Sequence, residues 1–250
     1  MSSAIAVECL VKRYRAGIEG CGASVEALRG IDLDIDEGEL LGLVGPPGAG
    51  KTTLLLCAAG LMRPDAGRVV WYGRRRSCQA PPPGIAYVPD HPVHYTFLTV
   101  RESLEYYATL QDLPGAGRRI DSALARSALR ALARCRVSAV DGAARQRLGI
   151  ARALLGEPIL LLLDAPLLGL DRQARVETRE ILRELHEGGM TIVVSAREVW
   201  EVDGLASRVV TLVAGRVRAE LRWEGEGADD VPDGVAQPFA GGGLVAEYPS

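Results

Sequence analysis

Apolar and acidic residues alternate after Leu28, where Ile31, Leu33 and Ile35 are interleaved with Asp32, Asp34 and Asp36. A period of two with one polar face predicts a half-buried antiparallel strand. Residues 5–11 read as an earlier strand, and the glycines between Gly17 and Gly22 as a turn between the two. The run Leu40, Leu41, Gly42, Leu43, Val44 differs in being apolar throughout, and Gly45, Gly48 and Gly50 follow it before a helical run over residues 51–60. That order predicts a central parallel strand feeding a loop and a helix. Short strands are expected over residues 68–72 and 85–88, on either side of Pro81, Pro82 and Pro83.

From Val100 to Leu155 the pattern is helical and rich in Ala, Arg and Leu, with breaks over residues 114–117 and 138–142 and no strand signal. It predicts a helical subdomain, over about residues 98–156, inserted between strands of a sheet. Strand character returns over residues 159–163, 191–195 and 208–213, separated by helices near residues 172–186 and 198–204. Alternating strands and helices imply an α/β fold whose mostly parallel sheet is covered on both faces. After Trp223 the composition shifts to Gly, Asp, Glu and Pro, so residues 1–223 are read as one domain and residues 224–250 as a mobile tail.

Composition narrows the function classes. The chain has 250 residues with 29 basic against 32 acidic, a formal net charge of −3 that carries no electrostatic footprint for nucleic acid. Its densest basic run, Arg74, Arg75 and Arg76, has the length of a solvated turn. The five cysteines, Cys9, Cys21, Cys57, Cys78 and Cys135, are odd in number and lack CxxC spacing, which fits a reducing compartment. No apolar run approaches the roughly 20 residues that cross a bilayer, and no signal-peptide pattern opens the chain. Membrane attachment is therefore expected only through a partner. His91, His94 and Cys78 share one loop without a completing ligand pair and are read as structural or solvated. Trp71, Tyr72, Tyr106 and Tyr107 are read as packing residues.

The chemistry-bearing segment is Gly45-Pro46-Pro47-Gly48-Ala49-Gly50-Lys51-Thr52, a GxxxxGK[ST] pattern between an apolar strand and a helix. Its glycines let backbone N–H groups converge on phosphate oxygens, and the helix start adds the positive end of its dipole. Lys51 is placed to reach the β and γ phosphates and the Thr52 hydroxyl to ligate Mg²⁺. Pro47 withdraws one N–H from the cradle. A second apolar run ends in Asp164, the acidic partner that such a magnesium site requires.

This order of motifs resembles the ATP-binding subunits of ABC transporters, especially those of ABC-2-type exporters, over about residues 4–222. The resemblance implies a P-loop NTPase with an N-terminal antiparallel β subdomain and an inserted helical subdomain. It makes Tyr14 the aromatic that stacks on adenine and residues 45–53, through Thr53, the Walker A segment. The strand ending at Asp164 is then Walker B, Gly169-Leu170-Asp171 the D-loop, and residues 145–154 the helix after the family signature.

Several positions depart from the family pattern. Ala165 stands where the family carries the Glu that activates water, a loss of roughly 10² to 10⁴ in rate for a general base. Ala196 is read at the place of the switch histidine. Asp90 replaces the Q-loop Gln, where it is still able to contact Mg²⁺. The signature reads Val140-Asp141-Gly142-Ala143-Ala144, and Asp141 facing a phosphate implies a repulsion of about 4 kcal/mol at a separation of about 4 Å and an effective dielectric near 20. Asp141 is also a good N-cap for the helix that starts near Gly142.

Binding residues retained and hydrolytic residues lost imply a subunit that holds Mg-ATP with little or no turnover. Its implied partners are integral membrane subunits and a second nucleotide-binding subunit, in a homodimer or heterodimer on the cytoplasmic face of the membrane. Two alternatives stand beside it: a slow but functional transporter ATPase, and a soluble P-loop regulator with no transporter.

Overall fold

The computed structural model describes residues 3–16, 23–75 and 83–222. The proposed tail, the turn between Gly17 and Gly22, Arg76, Cys21, Cys78, Pro81 and Pro82 lie outside them.

The all-apolar runs become the centre of the molecule. β3 (Leu40–Val44) is fully buried and lies between β8 (Thr191–Ala196) and β9 (Arg208–Val213), parallel to both. β7 (Leu160–Leu163) and β6 (Ile85–Val88) extend the same sheet in parallel. The strand order is β10 (Arg216–Arg222), β9, β3, β8, β7, β6. Each central strand sends alternate side chains into two cores, which is why no polar alternation is visible in it. Leu40, Val44, Leu161 and Leu163 face the core shared with the helical subdomain. Leu41, Leu43, Leu160 and Leu162 face the core shared with α1 (Lys51–Ala58) and the N-terminal strands.

Those strands form the expected antiparallel subdomain. β1 (Ser3–Ala16) pairs with β2 (Ala23–Asp36) and with β4 (Ala66–Trp71), and β5 (Arg74–Arg75) closes the edge. Ile31, Leu33 and Ile35 are buried, as the alternation predicts. Trp71 is buried with its Nε1–H donating to the Ala58 carbonyl at 2.6 Å, which ties this sheet to the end of α1.

The helical subdomain comprises α2 (Val100–Leu110), α3 (Ala116–Arg126) and α4 (Gly142–Leu154); the first break falls at residues 111–115, slightly ahead of the expected one, and the second, residues 127–141, opens well before the expected 138–142. α2 opens on a capping box between Thr99 and Glu102. Gly149 allows α4 to lie against the segment after β6, since a Cβ there would stand 2.8 Å from the Pro92 ring. α4 opens on Asp141, whose Oδ1 accepts from the Ala144 N–H at 2.7 Å. Asp141→Ala is expected to cost about 1 kcal/mol of stability by removing this cap, read as a lower midpoint in urea with an unchanged slope.

One expectation needs correction. The helix predicted near residues 198–204 is a single 3₁₀ turn, Val199–Glu201. Arg179 of α5 (Arg172–Glu187) donates to the Glu201 carbonyl at 2.9 Å and to the Asp203 carbonyl, so a side chain takes acceptors that a longer helix needs for its own N–H groups. Tyr106, read as a packing residue, packs edge-on against Tyr95 at 5.1 Å and Tyr107 at 5.3 Å between ring centroids while 42% exposed.

β10 (Arg216–Arg222) has no counterpart among the predicted strands; it pairs antiparallel with β9 through a turn at Ala214 and Gly215, both at positive φ. Arg208, only 6% exposed, bonds Glu220 at 2.7 Å and Glu39 at 3.2 Å and so anchors this edge strand to the sheet. Among the described residues no helix is long and apolar enough to cross a membrane.

Candidate functional site

The loop between β3 and α1 bounds a cleft of about 300 Å³. Pro47, Gly48, Ala49, Gly50, Lys51, Thr52 and Thr53 line one wall. Asp90, Asp164, Ala165, Leu168, Arg197 and Ala27 line the rest. The site is therefore assembled at the C-terminal ends of parallel strands β3, β6, β7 and β8, where such sheets place their ligands. Gly50 adopts φ +105° immediately before α1, and a Cβ there would lie 2.4 Å from the Ala27 carbonyl oxygen. The loop thus demands glycine at that point, and α1 directs its free N–H groups at the cleft.

Lys51 is half-buried, and its Nζ donates to the Gly45 carbonyl at 2.5 Å and the Pro46 carbonyl at 3.1 Å. Burial holds this ammonium below the ordinary lysine range, opposed by the Asp164 carboxylate and assisted by the Arg197 cation. Asp164 is buried at 4% exposure with both oxygens engaged: Ser195 Oγ donates to Oδ1 at 2.6 Å and Tyr87 Oη to Oδ2 at 3.3 Å. Burial, and then the neighbouring Asp164 charge, push the Tyr87 phenol well above its usual range, so it acts as a donor. Ser195 Oγ also accepts from the Ala165 N–H at 2.8 Å, which locks the residue after the aspartate. Ala165 has φ +43° and brings a methyl group to the cleft wall.

Tyr14 stands at the cleft margin, 39% exposed, with its hydroxyl 3.3 Å from Thr53 Oγ1 and 3.0 Å from Met62 Sδ. Asp90 lines the cleft while its Oδ1 accepts from the His91 N–H at 2.8 Å. Asp141, Gly142 and Asp171 lie elsewhere, in a second cleft of about 410 Å³ with Arg147 and Glu177. Asp171 caps α5, accepting from the Ala174 N–H at 2.8 Å, so both aspartates of that cleft are bound to their own helices. His94 is bonded through Nε2 to the Arg145 carbonyl at 2.9 Å, a structural placement.

Ala196, read at the switch position, does not line the cleft. Ala196 is the last residue of β8, pairs with Val44, is 2% exposed and belongs to the core beneath the helical subdomain. Arg197 is the residue that leaves the sheet and lines the cleft. Strand pairing runs one residue further than apolarity indicates, so the sequence reading missed Arg197; the Ser-Ala-Arg transition out of an apolar strand was the available signal.

Residues 28–168 match the family model described as ABC transporter. The daunorubicin resistance ATP-binding protein DrrA3 of Streptomyces coeruleorubidus is 37% identical over 223 residues, covering 87% of this chain and 68% of that protein. The chain belongs to the ABC transporter family. The ABC transporter ATP-binding protein YdbJ of Bacillus subtilis, itself uncharacterized, is 32% identical over 212 residues, 84% of this chain and 68% of its own length. The ATP-binding cassette MJ0796, solved as a post-hydrolysis dimer with ADP and Pi, superposes with a TM-score of 0.77 at 25% identity, covering 89% of this chain and all of that one. The ABC cassette fold, with its P-loop, parallel sheet, antiparallel β subdomain and helical subdomain, is therefore the fold of this chain. The chain is an ABC transporter ATP-binding subunit.

Proposed function

We propose that this ABC subunit binds Mg-ATP with little or no hydrolysis and serves as the regulatory or structural half of a transporter. The observation that carries the reading is the methyl group of Ala165 in a cleft whose binding elements are intact. A base that activates water needs a basic atom within hydrogen-bond reach of it, and Ala165 has none. Lys51, the N–H groups of the loop and the start of α1 supply an anion cradle, with Tyr14 at its margin for the base.

Magnesium fits the donor set. Mg²⁺ takes one or two carboxylates together with phosphate oxygens and water, and the Thr52 hydroxyl, Asp164 and Asp90 all face this cleft. Internal donors from Ser195 and Tyr87 hold Asp164 as an oriented carboxylate. When bound, the ion neutralises phosphate charge.

Integral membrane subunits and a second nucleotide-binding subunit, identical or different, are the proposed partners, which places the chain on the cytoplasmic face of a membrane through them. The surface for the membrane subunits is the segment after β6 with the adjoining helical subdomain, where Tyr95 (43% exposed) joins Phe97 (69%) and Tyr106 (42%) in ring contacts. Exposed apolar groups clustered in this way mark an interaction site.

The deciding experiment measures Mg-ATP affinity and steady-state turnover of the chain, alone and co-purified with its membrane partner. Saturable binding with turnover at background is the expected result. Steady hydrolysis that disappears in a Lys51→Ala control overturns the proposal and makes this an ordinary transporter ATPase. Failure to recover any integral membrane protein overturns the transporter assignment instead.

A further inference from the structure

Charge is spread unevenly along the chain. Residues 98–156 hold ten arginines against five acidic residues, a net of +5 in a chain whose total is −3. The arginines are spaced apart in sequence, and the fold gathers several of them. Between α3 and α4 the chain makes two short 3₁₀ turns, Arg130–Leu132 and Val137–Ala139. Leu129 and Val137 are buried there, and Leu132, Ala133 and Cys135 pack against the core of the helical subdomain. That inward set leaves Arg130, Arg134 and Arg136 exposed on the outside of the same compact segment.

Among the described residues none of these three arginines closes an ion pair, whereas Arg119 meets Glu157 at 3.2 Å and Arg101 meets Asp121. Glu102, an acidic group that feels the Arg136 charge, gives its carboxylate to the cap of α2, accepting from the Thr99 N–H at 2.8 Å. The basic segment also has an aromatic neighbour. The Val137 and Ser138 N–H groups donate to the Leu98 and Thr96 carbonyls at 2.9 and 3.0 Å, so Arg136 lies alongside the strip that carries the exposed Phe97 and Tyr95. Tyr95 meets Phe97 at a tilt and Tyr106 edge-on. Rings engaged with one another in this way present an apolar edge, not the ladder of open faces on which the bases of a single-stranded nucleic acid stack.

We propose that Arg130, Arg134 and Arg136, with Phe97 beside them, form a surface that binds directly to a bilayer carrying anionic lipid headgroups. A guanidinium keeps its charge and presents a planar fork of donors that matches the phosphate and carboxylate oxygens of such headgroups. Aromatic side chains next to cations seat at the headgroup level of a bilayer. The surface is continuous with the one proposed above for the membrane subunits and reaches the lipid around them. It goes beyond attachment through a partner, because the lipid contact is made by this chain's own side chains.

Co-sedimentation of the full chain with phosphatidylcholine vesicles, with and without phosphatidylserine, tests this with no membrane subunit present. The wild type is expected to bind only the vesicles that contain phosphatidylserine and to be released as added salt shortens the screening length. The triple variant Arg130→Gln/Arg134→Gln/Arg136→Gln is expected to lose about 10²-fold in partitioning, the combined contribution of three arginines at an anionic surface. Arg216→Gln/Arg218→Gln/Arg222→Gln removes the same charge from β10 and is expected to partition as the wild type does. Thermal unfolding midpoints equal to that of the wild type show that both variants fold. Equal weakening in the two variants overturns the inference in favour of a net-charge effect. A wild type without preference for anionic vesicles overturns it, as does unchanged partitioning in the first variant. A single-stranded oligoribonucleotide that strips the wild type from the vesicles assigns the surface to nucleic acid and overturns it as well. Recovery of a membrane subunit, which decides the transporter reading, is a separate measurement that none of these results alters.

Discussion

Ala165→Glu is expected to raise steady-state ATP turnover by about 10²-fold, the lower end of what a positioned general base contributes. The position is prepared for it. Ala165 lies on the cleft wall next to Asp164, and its N–H is already held by Ser195 Oγ at 2.8 Å. An L-residue already occupies the left-handed backbone there, at φ +43°, so a glutamate at this point adds no new backbone strain. The residue is only partly buried, which leaves the longer side chain a path into the cleft. The gain stays at the lower end because Asp90 and Asp141 remain as they are. Phosphate release under saturating Mg-ATP measures it, with Mg-ATP affinity as the control. A variant that binds as the wild type does yet gains nothing shows that a base was not the missing component and removes the main support for the loss-of-hydrolysis reading.

The sequence was most legible where one physical cause decided local structure. β3 and β7 stand out because both faces of the central sheet are covered, which leaves no polar side chain in either. The glycine-rich loop was legible because phosphate binding needs backbone freedom at fixed spacing, and the structure puts Gly48, Gly50, Lys51 and Thr52 on one wall. Asp141 was legible as a cap because capping is decided within three residues.

Features decided by distant partners were not legible. β10 is an exposed edge strand carrying Arg216, Arg218, Glu220 and Arg222, and what holds it in place is the buried side chain of Arg208 on the neighbouring strand. Its only local signs are the alternation of Val217, Ala219 and Leu221 with charged residues and the Ala214-Gly215 turn, which lacks the asparagine or aspartate that marks such hairpins. The same cause decides which residue leaves β8 for the cleft, Arg197 and not Ala196. Pairing of Ala196 with Val44 keeps it in the sheet, and that pairing depends on a strand some 150 residues away. One residue of register turned an inert methyl group into a cation at the cleft.

Lys51→Ala carries the second large effect, a loss of nucleotide affinity of about 10²-fold or more. Hydrogen bonds to charged groups contribute about 1.5–3 kcal/mol each, so removing two such bonds to phosphate at once costs at least about 3 kcal/mol. The stability of the chain moves far less, and the reason lies in the helix. Lys51 is the first residue of α1, where a cation opposes the positive end of the dipole, so its removal relieves a repulsion while two loop carbonyls lose a donor. Burial already holds the ammonium below its usual range, the mark of a charge kept in place with little water around it. Paired measurements separate binding from folding: nucleotide titration by calorimetry, and thermal unfolding without nucleotide. Weak binding with an unchanged midpoint is the expected pair. Wild-type affinity in Lys51→Ala shows that the glycine-rich loop is not where phosphate is held.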